Sequence, residues 1–496
     1  MIFLGIDSGT QSTKVVALDF SAGNILAEAQ KSYDLISGLP SGHLEQNPSE
    51  WIDATGDAIQ TCLEKIGARR DEVAGIGVSG QQHGLVVLDE AGEVIRPAKL
   101  WCDTSTVEQC SLFEAEFGGV SGLIELSGNT ILPGYTIPKL LWLKQNEPEN
   151  FSRVKTILLP HDYINYWLTG TKRMEYGDAS GTGMLDIRTR QWCHELMDFV
   201  DPSVSDMLPP LGSSLEVHGQ LRSDLADAWS LPKDVIVSAG GGDNMMGAIG
   251  TGNVAPGVIT ASLGTSGTLY GVSGNPAIDP GGEVAAFCDS ADQWLPLVCT
   301  MNVTVVTEQV RKMFGFDLDG LESAVADSMP GAGGICFLPY LNGERTPNLP
   351  EGSGVLHGLR PDNMTPENMA RSAMEGATLG LAYGLESFRK MGISPSEIRL
   401  TGGGSNSAQW RQIAADVFDT PVVLLATAEG AGLGAAIQAA YCRGDGSEGY
   451  MDLCNRLVAL DDESRCEPNP VNVDIYRELL EKHTGMSREL HSVGRI

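Results

Sequence analysis

Two short apolar runs open the chain and predict a pair of β-strands. In the segment FLGIDSGTQSTKVVALD, residues 3–19, the polar stretch from Ser8 to Lys14 separates the two runs. Alternating apolar and polar positions are typical of a half-buried strand. The stretch resembles a phosphate-binding loop, but it does not match G-x-x-x-x-G-K-[ST], and no helical pattern follows it. We therefore expect a β-hairpin with a hydroxyl-rich bend.

A helix and another strand follow the hairpin. Residues 48–66 carry apolar side chains at steps of three and four, which predicts one buried helix face formed by Trp51, Ala54, Ala58, Cys62 and Ile66. Asn47 suits the N-cap of this helix, and Pro48 suits its first position. Residues 73–78 are apolar and predict a strand that ends in SGQQHG. Strands that alternate with helices indicate an α/β domain.

The same layout returns in the second half of the chain. Residues 235–252 predict a buried strand, a glycine turn and a short helix of small residues. Residues 258–272 then predict a second hairpin, with Gly264, Thr265, Ser266 and Gly267 at its bend. We interpret the two hairpins as an internal repeat of one β-rich unit, with chance similarity between two glycine hairpins as the alternative.

A third glycine turn, residues 402–404, follows a strand that ends at Thr401 and precedes a helix. The apolar face of that helix consists of Trp410, Ile413, Ala414 and Val417. A turn from strand to helix exposes backbone N–H groups that can bind a phosphate or the flat side of a nucleotide.

Length, charge and cysteine content narrow the class of protein. The 496 residues predict two domains rather than one core. A net charge of −31 would repel a phosphate backbone, which argues against nucleic acid and agrees with a soluble surface or a saline habitat. No apolar run reaches about 18 residues and no signal peptide is recognisable, so we expect no membrane partner. The 10 cysteines lack metal-site spacing, which predicts reduced thiols in a cytoplasmic protein.

The three glycine turns could together clasp a nucleoside triphosphate between two domains. Each of them offers backbone N–H groups, and the first two also offer hydroxyl groups. The alternative is that each is only a tight turn, because glycine by itself is weak evidence of a site.

Two aspartates strengthen the interpretation as a phosphate site. Asp7 ends a buried strand beside the first turn, where a carboxylate can hold Mg²⁺ through water. Asp243 follows three glycines that would let a substrate approach the backbone, and it could accept a hydroxyl proton during phosphoryl transfer. The alternative for both is that the carboxylate caps its own turn.

The loop from Ser79 to Gly84 suits recognition of a polyol. Gln82 and His83 lie between glycines at the end of a strand, and each side chain can both donate and accept hydrogen bonds. A histidine in a loop is more often simply exposed to solvent, and this remains the alternative.

Several segments, taken in order, resemble the FGGY carbohydrate kinases, and within that family the members that phosphorylate xylulose. The resemblance covers residues 2–440, nearly the whole chain. The matching segments are IDSGTQSTK and SLGTSG (the two phosphate motifs), GQQHG (sugar contacts), YTIPKLLWL and GVLHGLRPDNMTPENMARSAMEG (family signatures), GGGDN (catalytic aspartate), FLPYLNGERTP, and TGGGSNSAQWRQ (adenosine motif).

The resemblance implies an α/β fold of two actin-like, ribonuclease H-like domains with a cleft between them. Residues 1–245 would bind the sugar and carry the first phosphate motif, residues 246–450 would bind the nucleotide, and residues 451–496 would form a helical tail. Within this tail the sequence predicts a helix over residues 473–482. In this fold the first phosphate loop is a β-hairpin, which explains why no helix follows it. A homodimer is among the expected assemblies.

The resemblance also implies a reaction, namely the ATP-dependent phosphorylation of D-xylulose to D-xylulose 5-phosphate. Asp243 would be the general base, and Asp7 would hold Mg²⁺ through water. The implied sugar contacts are Gln82, His83, Asp103, Asp243 and Asn244. The implied ATP contacts are Thr10, Gln11, Ser12, Lys14, Gly264, Thr265, Gly403, Gly404 and Asn406.

One departure from the family pattern leaves the sugar open. Where the xylulose-specific members often have W-N-D-x-R, this chain has Trp101-Cys102-Asp103-Thr104, so a charged partner is missing. Glycerol kinases carry an Arg-Glu pair at the position of Gln82 and His83, which disfavours glycerol. The remaining alternatives are another ketopentose or a polyol, such as ribulose or erythritol, and a nucleotide switch like actin or a chaperone ATPase. A catalytically dead sugar sensor is disfavoured because both Asp7 and Asp243 are present.

Overall fold

A computed structural model describes residues 1–427, 430–444, 446–494 and 496. Its strands are β1 (Ile2–Ser8), β2 (Ser12–Asp19), β3 (Asn24–Ser32), β4 (Glu45–Gln46), β5 (Val73–Gly80), β6 (Val86–Leu88), β7 (Ala98–Lys99), β8 (Thr156–Leu158), β9 (Met174–Glu175), β10 (Leu185–Asp186), β11 (Gln191–Trp192), β12 (Leu211–Gly212), β13 (Val217–Gln220), β14 (Ile236–Ser238), β15 (Gly241–Gly242), β16 (Val258–Leu263), β17 (Gly267–Gly271), β18 (Ala285–Cys288), β19 (Trp294–Thr300), β20 (Cys336–Leu338), β21 (Val355–His357), β22 (Glu397–Thr401), β23 (Val422–Leu425) and β24 (Leu460–Cys466).

The α-helices are α1 (Pro48–Ile66), α2 (Val107–Phe117), α3 (Gly119–Ser127), α4 (Thr136–Asn146), α5 (Pro148–Arg153), α6 (Pro160–Thr169), α7 (Tyr176–Ala179), α8 (His194–Val200), α9 (Val204–Met207), α10 (Ser223–Trp229), α11 (Asp243–Gly250), α12 (Thr304–Phe314), α13 (Leu318–Ala326), α14 (Pro366–Lys390), α15 (Ala408–Phe418), α16 (Ala431–Arg443), α17 (Tyr450–Leu457) and α18 (Pro470–Ser492). A bilayer-spanning length of apolar helix does not occur within the described residues.

The opening segment forms the predicted β-hairpin, which lies at the centre of the first sheet. Strands β1 and β2 pair antiparallel, and β1 pairs parallel with β5, so the strand order is β13-β14-β5-β1-β2-β3. Helix α1 begins and ends at the predicted residues, and it covers one face of this sheet with Trp51 and Ile59. The predicted stripe on α1 is buried as far as Cys62, whereas Ile66 is partly exposed at the helix end.

The second sheet repeats the first, which confirms the internal repeat. Its strand order is β18-β19-β17-β16-β22-β23-β24. Strand β16 pairs antiparallel with β17 and parallel with β22, as β1 pairs with β2 and β5. Beyond them, β22 pairs parallel with β23 and β23 antiparallel with β24, as β5 pairs with β14 and β14 with β13. The two copies therefore share both strand order and strand direction.

Two short helices of small residues cross where the two sheets meet. Helix α16 comes from the second half of the chain, yet its residues Leu433 and Ala436 pack on Phe3 and Leu18 of the first sheet. Helix α11 comes from the first half and packs on Tyr270 of the second sheet. The crossing is tight, because a Cβ added to Gly434 of α16 would lie 1.8 Å from the carbonyl oxygen of Met246 in α11. The N-terminus of α11, where Asp243 lies, is thus fixed between the sheets.

The C-terminal segment is integrated into the second half. Strand β24 pairs with β23 at the edge of the second sheet. Helix α18 extends beyond the predicted residues 473–482 in both directions. Its Tyr476 hydroxyl lies 2.9 Å from Arg371 Nη2 and 2.8 Å from Glu375 Oε1, both on α14, and these side chains are buried. This network anchors α18, whose docking site the sequence does not predict.

Candidate active site

A cavity of about 280 Å³ lies between the two halves of the molecule. This volume is at the small end of the range for small-molecule sites, roughly 300–1,000 Å³, and therefore suits a monosaccharide. The first half contributes Gln82, His83, Trp101, Tyr135, Asp243 and Asn244 to its lining, and the second half contributes Ser266, Thr268, Phe287, Cys299 and Arg345.

Asp243 lies in this cavity at the first position of α11. Both the backbone N–H and the side-chain Nδ2 of Asn244 donate to Asp243 Oδ1, at 2.8 and 3.0 Å. Burial and then the negative charges of Asp7 and Asp178 raise the pKa of Asp243 to about 7. A carboxyl group with a pKa near neutrality is well matched to general base chemistry.

A buried charged network lies behind Asp243, and sequence reasoning missed it. His161 Nδ1 lies 2.8 Å from Asp178 Oδ2, and His161 Nε2 lies 3.0 Å from Asp162 Oδ1. Burial would lower the pKa of His161, but the two carboxylates together raise it well above its ordinary value. The two carboxylates therefore favour the protonated imidazole, whose positive charge offsets the negative charge of the buried Asp178. No spacing in the sequence links these residues to Asp243.

The three glycines before Asp243 do not face a substrate. A Cβ on Gly242 would lie 2.6 Å from Gln82 Cγ, and one on Gly241 would lie 2.4 Å from Ser290 Oγ. Gly240 has a positive φ of 75°. The expectation that these glycines admit a substrate was therefore wrong, because the space beside them is filled by the protein itself. They let β15 pack closely against the Gln82 loop.

Gln82 and His83 lie side by side in the cavity. Gln82 Oε1 accepts a hydrogen bond of 2.9 Å from Asn244 Nδ2, which joins the loop to α11. His83 has a φ of 65°, a conformation that non-glycine residues adopt rarely and often at functional sites. Its carbonyl oxygen accepts from Thr136 Oγ1 at 3.1 Å and from Lys139 Nζ at 2.9 Å.

The His83 ring is neutral and packs against aromatic side chains. Its centroid lies 4.9 Å from the Tyr135 ring and 5.7 Å from the Phe287 ring. Burial, and then the charges of Lys139 and Arg345, lower the pKa of His83 to about 3. A neutral imidazole can both donate and accept, which suits contact with a sugar hydroxyl.

Asp103 lies outside the cavity lining, contrary to the expectation of a direct sugar contact. It is fully buried, and its carboxylate accepts hydrogen bonds from Leu44 N, Ser105 N, Ser105 Oγ and Lys99 Nζ. Burial would raise the pKa of Asp103, but the bonds from Ser105 and Leu44 and the charge of Lys99 lower it. With these donors in place, Asp103 acts as a support for the segment around Leu44.

The Lys99 ammonium also fills the space among three potential metal ligands. Atoms of His43, Glu45 and Asp103 lie within 4.8 Å of one another. Lys99 Nζ lies 3.2 Å from His43 Nδ1, 3.2 Å from Glu45 Oε1 and 3.1 Å from Asp103 Oδ2. The lysine thus supplies the positive charge that a metal ion would bring.

Hydrogen bonds connect the first phosphate turn to the cavity lining. Trp101 Nε1 donates to Thr10 Oγ1 at 2.9 Å, and Thr10 Oγ1 donates to Gln81 Oε1 at 3.2 Å, next to Gln82. Asp7 lies at the end of β1, where it accepts a 2.9 Å bond from Ser79 Oγ.

Three other predicted residues of this hairpin lie nearer its surface. Gln11 is exposed. Ser12 Oγ accepts from Gln30 Nε2 at 2.8 Å, and Lys14 forms a 3.3 Å salt bridge with Glu28. Lys14 would therefore have to exchange this partner in order to reach a phosphate.

The second and third glycine turns lie against each other. A Cβ on Gly402 would lie 2.9 Å from the backbone nitrogen of Gly264. The carbonyl oxygens of Gly264 and Thr265 accept from Thr304 N and Val303 N, so α12 fixes this bend. Gly403 has open space beside it, Gly404 is buried, and Thr265 and Asn406 are exposed. The second hairpin also reaches the cavity through Ser266 and Thr268.

The donor set around Asp7 fits a magnesium ion. Asp7 is half-buried, and its charge lies close enough to Asp243 to raise the pKa of that carboxyl group. Two carboxylates that repel each other at a cavity are stabilised by a hard cation, and Mg²⁺ usually takes one or two carboxylates together with water.

Comparison with known proteins places the whole chain in one family. Residues 2–250 match the model of the N-terminal domain of the FGGY family of carbohydrate kinases, and residues 259–442 match that of the C-terminal domain. The chain is similar to a xylulose kinase from Haemophilus influenzae, with 41% identity over 97% of this chain and 98% of the relative.

Solved structures show the same fold. A "xyloylose kinase" from Brucella ovis has a TM-score of 0.93 and 31% identity, covering 99% of this chain and 100% of that chain. A gluconate kinase from Lactobacillus acidophilus has a TM-score of 0.92 and 26% identity, covering 99% and 98%. The predicted two-domain fold with an inter-domain cleft is confirmed, and proteins of this fold act on different sugars.

Proposed function

Because this chain belongs to the FGGY family of carbohydrate kinases, we propose that it phosphorylates D-xylulose with ATP to give D-xylulose 5-phosphate. The similarity to xylulose kinases over nearly the full length supports this substrate. The observation that carries the chemistry is Asp243, a carboxyl group with a pKa of about 7 in a cavity that the two halves share.

In this reaction Asp243 accepts the proton of the sugar hydroxyl group. The hydroxyl oxygen forms a bond to the γ-phosphorus of ATP while the bond to the β-phosphate oxygen breaks and ADP leaves. Such a base contributes roughly 10²–10⁴ to the rate. Asn244 holds the carboxylate in position through its two hydrogen bonds to Oδ1.

The sugar and the nucleotide have separate binding groups in this proposal. His83 and Gln82 contact sugar hydroxyl groups, with the His83 ring held between Tyr135 and Phe287. ATP is bound by Thr10, Gln11, Ser12, Lys14, Gly264, Thr265, Gly403, Gly404 and Asn406. Asp7 would hold Mg²⁺ through water, and a bound ion would supply positive charge at the phosphate oxygens.

Two features outside the site stay predictions: a cytoplasmic location and a homodimer. All ten cysteines are free thiols, which agrees with a reducing compartment.

A coupled ADP assay with a panel of pentuloses, hexuloses and polyols tests the proposal. We expect the highest kcat/KM with D-xylulose and a 5-phosphate product by phosphorus NMR. Asp243→Asn keeps the side-chain shape and should lower kcat by at least about 10²-fold with little change in ATP binding. A higher kcat/KM for ribulose or erythritol would show that this compound, and not D-xylulose, is the preferred substrate. ADP release in the absence of sugar would favour an ATPase switch.

A further inference from the structure

An arginine of the second half enters the cavity from the loop between β20 and β21. Arg345 lines the cavity together with Asp243, Gln82 and His83. Within the described part of the chain its guanidinium forms no salt bridge, and its polar neighbour is the Cys299 thiol. A cation in a partly buried cavity without a carboxylate partner is prepared for a ligand that accepts hydrogen bonds.

Arg345 faces the side of the cavity formed by the first half. A Cβ on Gly134 would lie 4.0 Å from Arg345 Nη2, and the arginine charge acts on His83 and Tyr135. The charges that act most on Asp243 are instead those of Asp7 and Asp178. The guanidinium and Asp243 thus share one cavity, with His83 near the guanidinium.

The backbone around Arg345 is fixed by the preceding residue. The buried Glu344 carboxylate accepts hydrogen bonds from Met301 N at 2.6 Å, Asn302 Nδ2 at 3.1 Å and Arg345 N at 2.8 Å. On the other side, Thr346 Oγ1 donates to the carbonyl oxygen of Glu283 at 3.1 Å. The backbone from which the Arg345 side chain projects is thus held in place before substrate binds, which lowers the cost of ordering this segment.

The chemistry of a 2-ketopentose explains what such a cation would bind. The furanose ring of a 2-ketopentose closes through O5 onto C2. The O5 hydroxyl is free for phosphorylation only in the open-chain form, which exposes the C2 carbonyl and the C1 hydroxyl at the opposite end. A guanidinium presents parallel N–H donors in a planar fork, which matches two neighbouring oxygen acceptors.

We propose that Arg345 donates hydrogen bonds to the C2 carbonyl oxygen and the C1 hydroxyl oxygen of the open-chain ketose and thereby selects ketoses over polyols. This inference rests on the proposed function. In this proposal the second half of the chain contacts the sugar directly. Arg345 provides a positive charge in place of the arginine that the W-N-D-x-R pattern has and this chain lacks after Trp101-Cys102-Asp103.

The test compares D-xylulose with xylitol, which has the same carbon chain and no carbonyl group, as substrate and as competitive inhibitor. Hydrogen bonds to a charged group contribute about 1.5–3 kcal/mol, so Arg345→Gln should raise the KM for D-xylulose roughly 10- to 150-fold. The Ki for xylitol, which keeps the C1 hydroxyl oxygen but has no carbonyl oxygen, should rise less than the KM for D-xylulose. The KM for ATP should change less than about threefold. Arg345→Lys keeps the charge without the fork and should recover only part of the loss.

Arg360→Gln is the matched control, because Arg360 is exposed on the segment that follows β21. It should leave all constants unchanged. Equal losses for D-xylulose and xylitol, full recovery in Arg345→Lys, or no loss in Arg345→Gln would each overturn the inference alone. A wild-type enzyme that phosphorylates polyols but no ketose would overturn the proposed function and this inference with it.

Discussion

At the scale of single residues, the pKa of Asp243 depends on two neighbouring carboxylates, those of Asp7 and Asp178. Asp7 and Asp178 both raise the pKa of Asp243, after burial, to about 7. The three lie far apart in the chain and meet only because β1, α7 and the start of α11 converge.

The first prediction concerns the pH dependence of this group. A base must be unprotonated, so kcat/KM should fall as the pH drops below about 7 and level off above it. Asp178→Asn removes one negative neighbour, which lowers the pKa of Asp243 and moves the acid limb of the profile to lower pH. The measurement is kcat/KM for the sugar between about pH 5 and 9.

Asp162→Asn is the control for this shift. Asp162 contacts the other nitrogen of His161, and the charge that raises the pKa of Asp243 comes from Asp178. If Asp162→Asn moved the acid limb as far as Asp178→Asn, the direct effect of the Asp178 charge would be disproved.

The second prediction separates the sugar from the nucleotide. His83→Ala removes a ring that lines the cavity between Tyr135 and Phe287, while none of the residues assigned to ATP is part of the cavity lining. Loss of a hydrogen bond to a buried group costs about 1–3 kcal/mol, so the sugar KM should rise roughly 5- to 150-fold. The KM for ATP should stay within a few fold in the same steady-state assay.

His194→Ala serves as the control for this change, because His194 is exposed, is not part of the cavity lining, and has its Nδ1 3.1 Å from Ser205 Oγ. Equal increases of both KM values in His83→Ala would contradict the separation of the two sites.

At this scale the sequence predicted the site residues that belong to a motif. It did not predict the contacts that form only when the chain folds. Asp243, Gln82 and His83 line the cavity. Asp103 does not, because Lys99, Ser105 and Leu44 bind its carboxylate, and the contact with Leu44, 59 residues away, is not visible as spacing. Arg345 stands in a recognised segment, so its charge beside Glu344 was the signal that could have identified it.

At the scale of elements, local patterns determine helix α1 well and helix α18 poorly. Helix α1 has its own proline start and buried stripe. Helix α18 continues past residue 482 because His483 and Ser487 are buried, with the Ser487 hydroxyl 3.2 Å from that of Tyr340. That partner is remote in sequence, so a local pattern cannot predict this contact at the end of the helix.

The third prediction concerns the crossing of α11 and α16. Gly434→Ala places a Cβ 1.8 Å from the carbonyl oxygen of Met246, which cannot move without shifting the backbone of α11. Overpacking of this kind lowers the free energy of unfolding by about 1–3 kcal/mol. Because α11 carries Asp243, kcat should fall as well.

Gly485→Ala on α18 is the matched substitution, since nothing lies within 4 Å of its added Cβ. Replacing glycine by alanine inside a helix normally stabilises it by roughly 0.5–1 kcal/mol. Urea unfolding and kcat for both variants provide the measurement. If the Gly434→Ala enzyme were as stable and as active as Gly485→Ala, helices α11 and α16 could move apart without loss of stability or activity, and the prediction would be wrong.

At the scale of the whole molecule, the substrate groups are divided between two bodies. Asp7, Gln82 and His83 belong to the first half, and Arg345 and the turns at residues 264 and 403 belong to the second. The repeated hairpin predicts the paired sheets. The cavity could not be predicted in the same way, because it depends on how the two sheets are placed by α11 and α16.

The fourth prediction is that sugar drives the two halves together. Sugar and γ-phosphate must come within about 3–3.5 Å of reaction while water is excluded. Small-angle scattering should therefore show a smaller radius of gyration when D-xylulose is added, and sugar-free ATP hydrolysis should be a minor fraction of kinase activity. An unchanged scattering profile at saturating sugar and nucleotide would show that closure has no part in the mechanism.

The placement of α16 on the first sheet has a consequence for biosynthesis. A nascent chain that has reached residue 250 contains every strand of the first sheet, yet the helix that covers Phe3 and Leu18 begins at Ala431. At about 5–20 residues per second, the ribosome needs roughly 10–40 s to supply it. During that interval one apolar face of the sheet lacks this helix, so we expect the growing polypeptide to depend on chaperones until α16 has been translated.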